Sequence, residues 1–112
     1  MKKNKIYCFD IDGVICKTKE NDYLNSKPII KSIKKINYLF QEGNTIILFT
    51  SRFMGRSNEN KLNAKKLGYK LTLNQLKLWN VKFHKLIFGK PSYDFIVDDK
   101  SIFFKKNWER YI

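Results

Sequence analysis

The chain carries few acidic residues, and four of them fall in two close pairs. Asp10 and Asp12 stand two apart, directly after the apolar run Ile6-Tyr7-Cys8-Phe9, with Gly13 next. Asp98 and Asp99 stand side by side after Phe95-Ile96-Val97. Between the pairs come Thr50, which closes Thr45-Ile46-Ile47-Leu48-Phe49, and Lys90, which follows Lys85-Leu86-Ile87-Phe88 and Gly89. Each of these residues sits at the end of an apolar run of strand length. If the runs are parallel strands of one open sheet, their C-terminal ends form one rim, where such sheets bind ligands. Four of the chain's 10 acids would then meet one hydroxyl and one ammonium, in a chain of net charge +13.

Chemistry gives each residue type a task. Clustered carboxylates repel one another unless a cation sits among them. All-oxygen ligation suits Mg²⁺, which takes one or two carboxylates together with water and phosphate. A carboxylate held against a phosphate ester can attack phosphorus and become an aspartyl-phosphate. A second carboxyl two residues on can protonate the leaving oxygen and later activate water. A lysine and a hydroxyl can stabilise charge on the transferred group.

The elements that must position these residues alternate between short apolar runs and longer amphipathic ones, the signature of βα units and a parallel sheet. Residues 14–27 read as a loop. A helix is predicted from near Pro28, with Ile29, Ile33, Ile36 and Phe40 on one face and Gly43 as its stop. Ser57 is a candidate cap for a helix containing Leu62 and Leu67 and ending at Gly68. Thr72 and Gln75 form a T-x-x-Q capping box for a further helix reaching about Trp79. Residues 93–97 read as a fourth strand. No linker or repeat divides the chain, so residues 1–112 are read as one α/β domain.

Here the residues resemble a family. Asp10-Ile11-Asp12-Gly13-Val14 is similar to the DxDG(T/V) motif of haloacid dehalogenase (HAD) superfamily phosphatases. Ile46-Ile47-Leu48-Phe49-Thr50-Ser51-Arg52 resembles the second motif, Lys90 the third-motif lysine, and Asp98-Asp99 the acidic fourth motif. The resemblance spans residues 10–99 and implies a Rossmann-like fold with a mainly parallel sheet, strand order 3-2-1-4, flanked by helices. It also implies roles. Asp10 would be nucleophile and Mg²⁺ ligand. Asp12 would be the general acid/base and lend its carbonyl to the metal. Thr50 would bind phosphate, Lys90 would neutralise it and orient Asp10, and Asp98 and Asp99 would complete the metal site. A receiver domain of two-component signalling places its acidic pair before its phosphorylated Asp, whereas here DxDG comes first.

A narrower likeness, carried by Met54-Gly55-Arg56-Ser57-Asn58 and Phe88-Gly89-Lys90-Pro91-Ser92, is to small HAD proteins of capsular polysaccharide biosynthesis. It implies a phosphorylated sugar or sugar-linked intermediate as substrate. The stretch between Gly13 and Pro28 is too short for a cap domain, and no cap-sized insertion follows. An open site leaves Ser51, Arg52 and Arg56 as candidate substrate contacts beside Thr50 and Lys90. It also makes a homo-oligomer an expectation worth testing.

Composition narrows the partners. Basic residues number 23, of which 20 are lysine. Phosphate and base recognition leans on arginine, so a solvated basic surface is favoured over a nucleic-acid footprint. A polynucleotide end phosphatase and a non-enzymatic phosphate-binding module are the alternatives. Two cysteines and one histidine leave little for zinc, and Cys8 reads as a small core residue. No apolar run approaches the ~20 residues of a membrane span. No secretion signal is read at the N-terminus, so a reducing cytoplasm is the expected setting.

Overall fold

A computed structural model describes residues 4–102 and 107–112. In chain order the elements are β1 (Ile6–Phe9), β2 (Cys16–Lys17), β3 (Lys27–Pro28), α1 (Ile30–Gln41), β4 (Thr45–Thr50), α2 (Lys61–Leu78) and β5 (Lys85–Phe88). Single 3-10 turns occur at Tyr23–Asn25, Gly55–Ser57 and Trp108–Tyr111. The main sheet has three parallel strands in the order β1-β4-β5. Phe9 lies opposite Leu48, and Thr50 lies opposite Phe88, so the strand ends carrying Asp10, Thr50 and Lys90 share one rim. The stretch read as a loop after Gly13 instead contains an antiparallel pair, β2 with β3.

Burial explains which residues made these elements. Along β4 the side chains alternate, with Ile46, Leu48 and Thr50 buried on one face. Ile33, Ile36 and Leu39 of α1, Leu76 of α2, and Trp108 join Ile46 and Leu48 in the main core cluster. Gly43 ends the α1 turn at φ +93°, a backbone state that costs glycine little.

Helix α2 is one helix where the sequence suggested two. Asn60, not Ser57, caps it, its side chain accepting from the Asn63 backbone N–H at 3.0 Å. Gly68 does not stop it. This glycine is buried against the Phe53 and Phe88 rings, and a Cβ there would overlap Phe53. The residue buys close packing, not termination.

The C-terminal side departs furthest from expectation. Residues 93–97 form no strand, and Phe95 and Val97 are 91% and 99% exposed. On either side of this arm, residues 93–102, the described residues are tied down. Lys90 N–H donates to the Thr50 carbonyl at 3.1 Å and Ser92 N–H to Glu59 at 2.9 Å. At the other end Trp108 packs on Phe9, with ring centroids 5.4 Å apart, and Lys31 reaches Asn107 and Glu109. Strand β1 therefore pairs with β4 on one side and with no described strand on the other.

Among the described residues the sheet face opposite the core is also left partly exposed, where a sheet flanked by helices was expected. By register it carries Ile6, Cys8 and Ile47, and Ile6 is 72% exposed. Cys8 is accordingly exposed, not a core residue, while Cys16 is the buried thiol. No cap domain is visible among the described residues. No helix among them is long and apolar enough to cross a membrane.

Candidate functional site

Asp10 leaves the end of β1 at the rim. Its Oδ1 accepts the Ile11 N–H at 2.8 Å, which fixes the carboxylate, and its Oδ2 lies 3.2 Å from Lys90 Nζ. Lys90 arrives there through Gly89, whose φ of +99° and closeness to Lys61 leave no room for a side chain. Burial works against the Lys90 charge. A hydrogen bond with the Tyr93 hydroxyl and the Asp10 charge outweigh it and hold the ammonium above the ordinary lysine range. The same ammonium lies 5.2 Å from the Tyr93 ring centroid. Thr50 is fully buried at the end of β4, its Oγ1 accepting the Arg52 N–H at 3.1 Å, and Ser51 is half-buried beside it.

Asp12 and Arg52 form the second half of the site. Arg52 is 1% exposed, so it does not offer its guanidinium to a substrate as expected. Nε donates to Asp12 Oδ2 at 3.0 Å and Nη2 to Asp12 Oδ1 at 3.0 Å, a bidentate pair. Nη1 donates to Thr72 Oγ1 at 3.2 Å and to Gln75 Oε1. The guanidinium also lies over the Tyr23 ring at 4.9 Å, and the Gln75 amide donates to the Tyr23 carbonyl. Thr18, after β2, donates its hydroxyl to Asp12 and shares a 2.6 Å hydrogen bond with Ser26, just before β3. The β2–β3 pair is thereby fastened to Asp12.

The T-x-x-Q pattern thus has a different meaning from a cap. Thr72 and Gln75 lie inside α2, one turn apart and both buried, and they take up the guanidinium hydrogens. The spacing that puts a capping box on one helix end also puts two polar side chains on one helix face. Arg56 is exposed, donating to the Asn21 carbonyl at 2.9 Å and lying 4.9 Å over Phe53. Cys16 lies beside Asp12 and Arg52, and burial pushes its thiol up from the ordinary cysteine range. His84 is structural, its Nδ1 accepting the Ile46 N–H at 3.0 Å and its ring stacked on Phe40.

Asp98 and Asp99 do not reach the rim. Both are exposed in the arm, and Asp98 Oδ1 accepts the Lys100 N–H at 2.9 Å, as in a turn. Among the described residues no group of three or more His, Cys, Asp or Glu is placed to hold a metal. The Asp10 carboxylate remains partly open at the rim. One carboxylate fits the sparse protein ligation that Mg²⁺ accepts when water and phosphate supply the remaining oxygens.

Comparison with known proteins defines the fold and stops there. The chain is similar to a structural-genomics target from Vibrio cholerae, known from its crystal structure, with a TM-score of 0.81 and 24% identity. The match covers 88% of this chain and 82% of that one. No protein-family model and no curated protein matches the sequence.

Proposed function

We propose that the chain is a Mg²⁺-dependent phosphate monoester hydrolase of HAD type, working through an aspartyl-phosphate on Asp10. The observation that carries the reading is the Asp10–Lys90 pair, 3.2 Å apart on the rim of a parallel sheet, with Thr50 at the end of the strand between them. The motif order in the sequence supports the finer fold, a HAD-type sheet in which β5, β4 and β1 would be followed by a further strand at residues 93–97.

In this reading an Asp10 oxygen attacks phosphorus while the bond to the leaving oxygen breaks. Asp12 supplies the proton that the leaving oxygen takes up. Asp12 then accepts a proton from water as that water attacks the aspartyl-phosphate, releasing inorganic phosphate and restoring Asp10. Lys90 balances charge on the phosphoryl oxygens, and Thr50, fully buried at the end of β4, reaches them only if its hydroxyl turns out toward the rim. Bound at Asp10 and the Asp12 carbonyl, Mg²⁺ would supply further charge neutralisation to the phosphate. The Asp12 carboxyl must turn out of its Arg52 and Thr18 contacts to serve a leaving oxygen, and its partial exposure gives it space to do so. With Arg52 buried, Arg56 and Ser51 are the remaining candidates for holding the rest of the substrate.

The substrate class proposed is a phosphorylated sugar or sugar-linked intermediate of surface polysaccharide synthesis, handled in the cytoplasm. The net charge of +13 favours one second reading, a polynucleotide end phosphatase. A panel of sugar phosphates, nucleotides and a 3′-phosphorylated oligonucleotide, assayed for phosphate release with and without Mg²⁺, separates them. Preferred turnover of sugar phosphates supports the first reading. Preferred turnover of the oligonucleotide, with binding that falls steeply with salt, replaces it with the second.

A further inference from the structure

The segment that delivers Lys90 has little freedom. Gly89 is pressed against Lys61 at a φ of +99°, Pro91 fixes its own φ, and Glu59 holds the Ser92 N–H at 2.9 Å. Tyr93 follows directly. Its hydroxyl accepts a hydrogen bond from Lys90 Nζ, and its ring centroid lies 5.2 Å from that nitrogen. The same nitrogen is 3.2 Å from Asp10 Oδ2. A lysine ammonium has three N–H donors. Asp10 and Tyr93 take two of them, which leaves the third for a phosphate. The Tyr93 ring joins neither core cluster and is 44% exposed. It is an aromatic surface in water at the edge of the site, and nothing in the fold or the phosphoryl chemistry requires it there.

We propose that Tyr93 selects the substrate: its ring is the platform on which the sugar ring of a hexose phosphate stacks, and its hydroxyl holds Lys90 toward the phosphate. The inference rests on the phosphatase reading for the reaction and names the group that recognises the rest of the ester. A sugar ring joined to a phosphate that Lys90 holds would lie within reach of the Tyr93 ring. A pyranose offers one apolar C–H face and a fringe of hydroxyls. Tyrosine meets the first with a rigid surface that costs little conformational entropy to order. Polar groups that suit the second, Glu59 and Lys61, border the same segment. A nucleic-acid strand asks instead for successive aromatic platforms beside its phosphates, and Tyr93 is a single ring. The restraints on residues 89–92 keep the platform and the ammonium at a fixed separation, as a recognition site needs.

Two variants separate the ring from the hydroxyl. Tyr93→Phe keeps the ring and loses the hydroxyl; Tyr93→Leu loses both. Tyr93 lies outside the core clusters, so both variants are expected to fold. Steady-state kinetics are measured in Mg²⁺ on the 1-phosphates of glucose, galactose and mannose, and on glycerol 1-phosphate, an ester without a ring. Tyr93→Phe should keep the wild-type KM for the best hexose phosphate. Its kcat should fall about three- to tenfold on both kinds of ester, because Lys90 has lost its holder. Tyr93→Leu should show the same fall in kcat. It should also raise KM for the hexose phosphate about three- to tenfold over Tyr93→Phe, with no such difference on glycerol 1-phosphate. Equal KM for the two variants on the hexose phosphate overturns the platform. A Tyr93→Phe kcat equal to that of the wild type overturns the hold on Lys90. A KM effect of Tyr93→Leu on nucleotides but not on hexose phosphates gives the ring to a base and overturns the sugar assignment. A wild type that releases no phosphate rejects the phosphatase reading. Titration calorimetry of the same esters in Mg²⁺ then decides the platform: weaker hexose phosphate binding by Tyr93→Leu upholds it, and equal or undetectable binding overturns it.

Discussion

Arg52 shows how a residue can serve a site without meeting a ligand. Its guanidinium directs all its N–H groups to Asp12, Thr72, Gln75, Cys16 and Ser26, with Asp12 taking one bond from Nε and one from Nη2. Removing one partner of such a buried pair leaves the others uncompensated. Arg52→Ala should therefore lower stability by about 3 kcal/mol, less than for a pair wholly shut from water because Asp12 is partly open. Urea unfolding checks it, and a change within experimental error would contradict the clamp. Lys90 makes a different prediction. Its raised value means that the folded state binds this proton more tightly than the unfolded chain. The stabilisation is then fully present below the unfolded value and lost only as pH climbs through the folded one. The stability gap between wild type and Lys90→Met should stay flat from about pH 7 to about pH 10 and shrink above that. Thermal melts across that range measure it; a gap that opens or closes near neutral pH would contradict the assignment.

At the scale of elements, the helix α2 turns on Gly68. Alanine is the better helix former by about 1 kcal/mol. At this position the added methyl meets the Phe53 ring, and overpacking costs about 1–3 kcal/mol. Gly68→Ala is expected to destabilise the protein despite its gain in propensity, read as a lower urea midpoint; a higher midpoint would mean that Phe53 yields freely. The same helix shows what the sequence could and could not convey. Strands β1 and β4 and helix α1 were legible because each has an apolar period set by one packing partner. Gly68 and the Thr72/Gln75 pair were not, because their meaning lies in residues distant in the chain. A glycine at a stop and a glycine at a close contact are the same letter. A capping box and a polar pocket for Arg52 have the same spacing. For the candidate site, Asp10 and Lys90 were legible as strand-end residues, and their 3.2 Å approach belongs to the register of three strands. The role of Tyr23, Thr18 and Ser26 around Asp12 and Arg52 had no motif to announce it.

For the molecule as a whole, charge and the openness of the rim decide what the rim can meet. The +13 surface attracts anions of every kind, so selectivity must come from the rim and whatever stands over it. The arm was legible as a strand from its residue types, but its pairing was not, since β-propensity names no partner. Its exposed placement leaves one side of β1 without a described strand and Asp98 and Asp99 apart from Asp10. All of this stands on Asp10 as the group that takes the phosphoryl transfer. The most direct measurement is phosphate release by the wild type and by Asp10→Asn, on the best substrate of the panel, with Mg²⁺ present and then chelated. The account predicts turnover by the wild type that stops on chelation, and none from Asp10→Asn under either condition. Turnover by Asp10→Asn close to that of the wild type would contradict it.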